Sequence, residues 1–222
     1  MTPVPDPDLA FLDPGDGRRI AIRSRAAADA RSPTIVFLPG YASDMEGGKA
    51  TSIDQFCASR GLGCLRLDYS GTGSSPGDFA DGTIPRWLEE VLAAVDLGVP
   101  EGKVILAGSS MGGWIALLAA LRRKDRVAGL LGIAAAPDFT DWGYSAEDKQ
   151  AMVDGGKVER ANPYGPEPSL TYRGFWESGA AHRLLHQPID LIIPIRLVHG
   201  ERDEEVPMGV PIRLMADLRS SD

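Results

Sequence analysis

Residues 104–116 read VILAGSSMGGWIA, an apolar run that breaks at Gly-Ser-Ser-Met-Gly and then resumes as a second apolar run. The break, Gly108 to Gly112, matches the pattern G-x-S-x-G with Ser110 in the middle. Glycines two residues before and after a serine allow the chain to bend sharply from a strand into a helix. VILA has the composition of a strand and WIALLAAL that of a helix. We therefore predict a strand–turn–helix unit with Ser110 at the bend.

Ser110 is the candidate nucleophile of this unit. A serine hydroxyl raised above the end of a sheet can attack a carbonyl carbon, and the next backbone N–H, that of Met111, then points at the oxygen that becomes negatively charged. The alternative is an ordinary Gly-Ser-Ser turn, because so short a pattern also arises by chance. The flanking strand and helix favour the nucleophile.

Strands and helices alternate on both sides of this unit. Apolar and β-branched runs predict strands at 19–25, 34–39, 64–69, 103–108, 127–135 and 195–200, and helical spacing of apolar residues predicts helices at 47–60, 84–98, 114–124 and 209–220. Such alternation is typical of a mostly parallel sheet covered by helices on both faces. The sequence therefore predicts an α/β fold.

Residues 137–194 interrupt the alternation and are too long for an ordinary connection. We interpret them as a cap inserted over the carboxyl ends of the strands, with 1–136 and 195–222 forming the core. The alternative, a mobile surface loop, is disfavoured because such loops seldom carry so many aromatic residues. The candidates for an apolar substrate pocket in this segment are Trp142, Tyr164, Phe175 and Trp176.

A second oxyanion donor is expected in FLPGYASDM (37–45), directly after the first buried strand. The step from Gly40 to Tyr41 lies at the strand end, where the Tyr41 N–H can point at the same oxygen as the Met111 N–H. The alternative is an ordinary turn at the strand end. This stretch alone favours the oxyanion donor and the ordinary turn equally.

Asp203 is the candidate acid that orients a catalytic base. It lies in LVHGERDEEVP (197–207), just past a strand that follows the serine, which is where the acid belongs in the order Ser, Asp, His. Asp68, in LDYSGTGSS (67–75), is assigned a structural role, with its carboxylate accepting backbone N–H groups of its own loop. The weaker acidic candidates in the Asp203 loop are Glu201, Glu204 and Glu205.

Composition narrows the class of protein further. The chain has 222 residues, of which 43% are apolar, and a net charge of −8. These values fit one globular domain and disfavour nucleic acid or an anionic membrane as a partner. There is no apolar run of about 18 residues for a membrane span, and the N-terminal MTPVPDPDLAF lacks the pattern of a signal peptide. Cys57 and Cys64 are expected to be buried free thiols, and a cytoplasmic location is predicted.

Four blocks in combination resemble the α/β-hydrolase superfamily: FLPGYASDMEGGKA, DYSGTGSS, AGSSMGGW and LLHQPIDLIIPIRLVHG. They are most similar to the subfamily of the mitochondrial palmitoyl-protein thioesterase and acyl-glucuronide esterase and its bacterial relatives. The resemblance implies hydrolysis of small-molecule esters or thioesters of apolar acyl groups through an acyl-enzyme, without a metal or organic cofactor. It carries over Ser110 as nucleophile, Asp203 as acid, and Tyr41 and Met111 as oxyanion donors.

The catalytic base is not evident among the three histidines. His199 precedes Asp203 at a strand end and is expected to be structural, hydrogen-bonding its own loop. His182 and His186 lie in the predicted cap and also precede the acid, which is the wrong order for this fold. Their spacing of four could present both to a metal ion, but HRLLH contains no third ligand, so a metal site is disfavoured.

In the family that the chain resembles, the histidine follows one further strand. This sequence ends at LMADLRSSD, in a predicted helix. We therefore expect that the last strand, the histidine loop and the final helix lie beyond residue 222, and that the 222-residue chain is nearly inactive by itself. The alternative, from another functional class, is a non-catalytic protein that binds an apolar ligand.

Overall fold

The computed structural model describes residues 8–162, 166, 168–185 and 187–220. Nine strands are present in these residues: β1 (Ala10–Leu12), β2 (Ile20–Arg25), β3 (Thr34–Leu38), β4 (Cys64–Leu67), β5 (Val104–Ser109), β6 (Val127–Ile133), β7 (Lys157–Arg160), β8 (Ser169–Tyr172) and β9 (Ile195–Val198). Seven of them form one sheet in the order β1-β2-β4-β3-β5-β6-β9, and β7 and β8 form a separate antiparallel pair.

The sheet is parallel from β4 to β9, and β1 and β2 add an antiparallel edge. β5 is the middle one of the five parallel strands, and its Leu106 is paired with Val36 on one side and Leu130 on the other. All three side chains are buried, as expected for a parallel sheet covered on both faces. β9 forms the other edge, and Val198 near its end is 58% exposed.

Seven α-helices accompany the strands in the described residues: α1 (Gly48–Arg60), α2 (Ile84–Ala93), α3 (Met111–Arg122), α4 (Phe139–Trp142), α5 (Ala146–Gly155), α6 (Arg173–Gly179) and α7 (Gly209–Asp217). This alternation of parallel strands and helices confirms the α/β fold predicted from the sequence. No described helix has both the length and the apolar character that crossing a membrane requires.

Three helix boundaries differ from the prediction by three residues or more. α2 ends at Ala93, and a π-helical turn over Ala94–Gly98 continues it to the predicted end. α3 begins at Met111 rather than at 114, because the helix starts directly at the serine bend. α7 ends at Asp217 rather than near 220, because Leu218 instead forms a parallel bridge with Ile189. α7 therefore stops at Asp217, and Leu218 has an extended backbone.

Residues 137–194 fold into α4, α5, the β7–β8 hairpin and α6, followed by a 3₁₀ turn over Ala180–His182. Phe175 of α6 is only 1% exposed and belongs to the main hydrophobic core together with Trp87 and Trp114. The segment thus packs on the body of the protein. The predicted boundaries between cap and core, at residues 137 and 194, stay a prediction. Cys57 and Cys64 are both buried and free, as predicted.

Candidate active site

Ser110 occupies a strained bend between β5 and α3. Its backbone has φ 52° and ψ −117°, which a residue with a Cβ adopts at a cost of about 1–3 kcal/mol. The end of β6 fixes this conformation, because the Ser110 N–H donates to the Ile133 carbonyl at 3.0 Å and the Ser110 carbonyl accepts from the Ala136 N–H at 3.1 Å. The bend predicted from the pattern is therefore present at the carboxyl end of β5.

The glycines of the pattern are required by close backbone contacts. A Cβ on Gly108 would lie 2.2 Å from the Gly112 carbonyl oxygen, and a Cβ on Gly112 would lie 2.1 Å from the Leu38 carbonyl oxygen. A Cβ on a third glycine, Gly113, would lie 2.6 Å from the Cβ of Ala135. The sequence pattern did not identify Gly113, whose constraint comes from the loop after β6.

The loop after β3 lies against this bend. A Cβ on Gly40 would be 3.5 Å from the Cβ of Ser110. Residues 40–43, here called the oxyanion turn, are closed by a hydrogen bond from the Ser43 N–H to the Gly40 carbonyl at 3.2 Å, and Ala42 within it has φ 54°. The turn thus brings the Tyr41 backbone close to Ser110.

The backbone N–H groups of Tyr41 and Met111 have no hydrogen-bond partner in the part of the chain that the structure describes. Met111 is the first residue of α3, where an N–H has no partner within the helix and the helix dipole favours negative charge. Two unpaired donors beside a strained serine can together stabilise an oxygen that becomes negatively charged.

Asp203 lies in a turn after β9 that is closed by its own side chain. Its Oδ1 accepts from the Glu205 N–H at 3.0 Å and from the Val206 N–H at 2.9 Å. Asp203 is half-buried, whereas the alternatives Glu201, Glu204 and Glu205 are exposed. A carboxylate that is fixed through one oxygen and keeps the other for a partner suits the predicted acid better than an exposed one.

His199 binds the same turn from the other side. Its Nε2 lies 2.8 Å from the Val206 carbonyl oxygen and 4.0 Å from Oδ2 of Asp203. The prediction that His199 hydrogen-bonds its own loop is confirmed. Its Nδ1 is buried and has no partner among the described residues.

His182 is also occupied elsewhere. Its Nδ1 lies 2.8 Å from the Ser178 carbonyl oxygen, and its own carbonyl accepts from the indole N–H of Trp114 at 3.0 Å. His186 lies outside the described residues. Within them, the Ser110 hydroxyl makes no hydrogen bond to a histidine, and no three potential metal ligands come together.

Asp68 has the structural role predicted for it. Its carboxylate accepts from the Met45 N–H at 2.6 Å and from the Ser74 N–H at 2.7 Å, which joins the oxyanion-turn region to the loop after β4. Burial raises the pKa of this carboxyl group. A Cβ on Gly73 would lie 2.2 Å from Asp68 Oδ2, so this glycine makes room for the carboxylate.

The predicted pocket residues do not share one cavity. Phe175 is in the core, with its ring centre 4.4 Å from that of Tyr41. The indole of Trp142 donates to the Pro137 carbonyl at 2.9 Å and packs near Val206 of the Asp203 turn. Tyr164 lies outside the described residues. Trp176 lines a cavity of about 190 Å³, and its other walls are Thr140, Asp141, Lys149, Glu177, Ala180 and Arg183.

Aromatic rings that the sequence analysis did not single out surround Tyr41. Their ring centres lie 5.1 to 6.1 Å from that of Tyr41, and they belong to Phe79, Trp87 and Phe139. Phe139 falls within 137–194 and could have been identified from the aromatic content of that segment. Phe79 precedes α2 in a stretch with no pattern that points to the site.

Sequence and structure both relate the chain to known proteins. The profile described as "Alpha/beta hydrolase family" matches residues 35–219. "Palmitoyl-protein thioesterase ABHD10, mitochondrial" from Mus musculus is 41% identical over 219 residues, which cover 96% of this chain and 72% of that protein.

Solved structures show the same relationship. A putative hydrolase from Agrobacterium vitis is 40% identical with a TM-score of 0.88, over 96% of this chain and 86% of that chain. Mouse alpha/beta hydrolase domain-containing protein 10 is 35% identical with a TM-score of 0.85, over the same shares of the two chains, 96% and 86%.

These relatives overturn the predicted cytoplasmic location. The curated proteins that match the chain are named as mitochondrial. The prediction used two reduced cysteines, which fit any reducing compartment and therefore could not distinguish one from another.

Proposed function

Because the chain belongs to the alpha/beta hydrolase family, we propose that it is a serine hydrolase that cleaves esters or thioesters of apolar acyl groups. The observation that carries the proposal is the strained Ser110 bend with the unpaired N–H groups of Tyr41 and Met111 beside it. The acyl substrate class is supported by relatives that are named palmitoyl-protein thioesterases.

The proposed reaction has two steps. The Ser110 oxygen attacks the acyl carbonyl carbon while a base takes the hydroxyl proton, and the two N–H groups stabilise the oxyanion. The intermediate collapses to an acyl-enzyme, and the alcohol or thiol leaves with that proton. Water then attacks the acyl-enzyme by the same route and releases the acid. Asp203 is proposed to orient the base and to stabilise its protonated form.

Replacing Ser110 tests the proposal, and Ser109 provides a matched control one residue away. In the full-length protein, Ser110→Ala is expected to lower kcat for p-nitrophenyl decanoate by at least ~10⁴-fold, whereas Ser109→Ala should change it by less than about threefold. Intact-mass analysis after reaction with a fluorophosphonate should show one adduct in the wild-type protein and none in Ser110→Ala. Turnover by Ser110→Ala at the wild-type rate would refute the assignment.

A second candidate function is that of a non-catalytic protein that binds an apolar ligand. The observation that favours it is that His182 and His199 both bind backbone carbonyls and neither reaches the Ser110 hydroxyl. The fluorophosphonate reaction separates the two functions, because a serine without a base reacts slowly. Absence of an adduct together with saturable binding of a fatty acid would support the binding protein.

A further inference from the structure

The side chain of Tyr41 connects the oxyanion turn to the inserted β7–β8 hairpin. Its hydroxyl donates to the carbonyl oxygen of Leu170, in β8, at 3.0 Å. Its ring contacts both parts of the protein, with ring centres 5.1 Å from Phe79 of the body and 4.4 Å from Phe175 of α6. One side chain therefore joins the loop beside Ser110 to the segment 137–194.

The oxyanion turn needs such support. Ala42 within it has φ 54°, a left-handed conformation that is unfavourable for a residue with a Cβ. The turn itself is closed by one backbone hydrogen bond of 3.2 Å, from Ser43 to Gly40. Because the turn has little support of its own, contacts of the Tyr41 side chain can hold the Tyr41 N–H in its present direction.

We propose that the Tyr41 side chain is a positioning group for the oxyanion hole. By binding the Leu170 carbonyl, it fixes the Tyr41 N–H at the place where the oxyanion forms, so the inserted hairpin takes part in catalysis without touching the reacting atoms. The proposal rests on the proposed function. Since the oxyanion exists only in the transition state and the intermediate, loss of this support should lower kcat more than it changes KM.

The hairpin offers a matched control in Tyr144. Its hydroxyl lies 2.9 Å from Oγ1 of Thr171, the residue after Leu170 in β8. Tyr41→Phe and Tyr144→Phe thus each remove one hydroxyl that contacts β8 while keeping the ring. Only Tyr41 belongs to the oxyanion turn, so only Tyr41→Phe should affect the oxyanion.

The test measures kcat and KM of both variants in the full-length protein with p-nitrophenyl acetate and p-nitrophenyl decanoate. Tyr41→Phe is expected to lower kcat by about fivefold for both esters, the range that one neutral hydrogen bond accounts for, with KM changed by less than about twofold. Tyr144→Phe should leave kcat within about twofold of wild type. Equal losses in the two variants, or a loss in Tyr41→Phe confined to KM, would overturn the proposal.

A second measurement does not depend on how well a variant folds. Trifluoroacetone forms a hemiketal with an active serine, and its oxygen occupies the oxyanion site. Because coupling between sites is reciprocal, the adduct should slow amide hydrogen exchange of residues 169–172 in the wild-type protein. Unchanged exchange in the presence of the adduct would also overturn the proposal. Failure of the proposed function would look different, because turnover and adduct would then not depend on Ser110.

Discussion

Gly112 illustrates how strictly single residues define the serine bend. A Cβ there would lie 2.1 Å from the Leu38 carbonyl oxygen, a backbone atom that cannot move aside without disturbing β3. Gly112→Ala is therefore expected to lower the free energy of unfolding by more than about 3 kcal/mol.

Gly174 is the matched control for this substitution, because a Cβ on it would meet nothing within 4 Å. It lies in α6, where alanine is the better helix former, so Gly174→Ala should change the free energy of unfolding by less than about 1 kcal/mol, in the stabilising direction. Denaturant titration of both variants makes the comparison. Similar stabilities would contradict the structure of the bend.

His199 allows a second prediction for a single residue. Its Nε2 donates to the Val206 carbonyl, and the backbone N–H of Val206 in turn donates to Oδ1 of Asp203. The amide nitrogen of glutamine can replace Nε2 as a donor, but leucine leaves the Val206 carbonyl without a partner. His199→Leu should therefore lower kcat of the full-length enzyme by about tenfold or more, and His199→Gln should recover most of it. Equal kcat in the two variants would show that this hydrogen bond does not matter.

Residues that bear a local signature could be predicted, and residues defined by distant contacts could not. The strained bend at Ser110 and the structural role of Asp68 were evident from their own loops. Gly113 could not be recognised, because its neighbour Ala135 is 22 positions away along the chain. The partner of the Tyr41 hydroxyl, Leu170, is 129 positions away.

At the scale of elements, α2 shows both the strength and the limit of periodicity. The helical spacing of apolar residues over 84–98 is confirmed, because Trp87, Leu88 and Val91 share one buried face. Glu90 on the same helix is nevertheless fully buried as well. It accepts from the Ser70 N–H at 2.9 Å and from Arg18 at 2.6 Å. A helical pattern contains no information about such partners, which come from two other parts of the chain.

Burial raises the pKa of Glu90 above its usual value of 4.5, although Ser70 and Arg18 oppose the shift. As the pH rises from 4.5, the unfolded chain therefore loses this proton first, and the free energy of unfolding falls. In Glu90→Gln this fall should be absent, so the variant should gain stability relative to wild type as the pH rises above about 4.5.

Urea titrations of both proteins across this pH range test the prediction for Glu90. The exposed neighbour Glu89, whose side chain is 57% accessible, supplies the control. Glu89→Gln should keep the pH dependence of the wild-type protein. A parallel pH dependence in Glu90→Gln would mean that Glu90 titrates as it does in the unfolded chain.

For the whole molecule, the alternation of patterns was sufficient to predict the class of fold, and it was insufficient to predict how the parts meet. Parallel strands require crossovers, so β3 to β6 with their helices could be inferred from order alone. A cap could be proposed for 137–194, but its individual contacts with the body could not, because Phe175 and Tyr41 are far apart in sequence. The cellular compartment could not be predicted from two free cysteines, because they fit any reducing compartment.

The proposed acyl substrate class leads to a prediction about chain length. A site for apolar acyl groups favours longer chains, by up to ~0.8 kcal/mol for each methylene group that is buried. A series of p-nitrophenyl esters from acetate to decanoate should therefore show kcat/KM of the full-length enzyme rising with chain length. A flat series would contradict an apolar acyl site.

The strain at Ser110 also has a consequence for how the protein responds to selection. With φ 52° and ψ −117°, this position suits glycine better than any residue with a hydroxyl. Laboratory evolution that rewards only resistance to heat should therefore tend to accept Ser110→Gly, and with it a stable but inert protein. A library enriched for thermostability therefore needs a concurrent activity screen if the proposed nucleophile is to be retained.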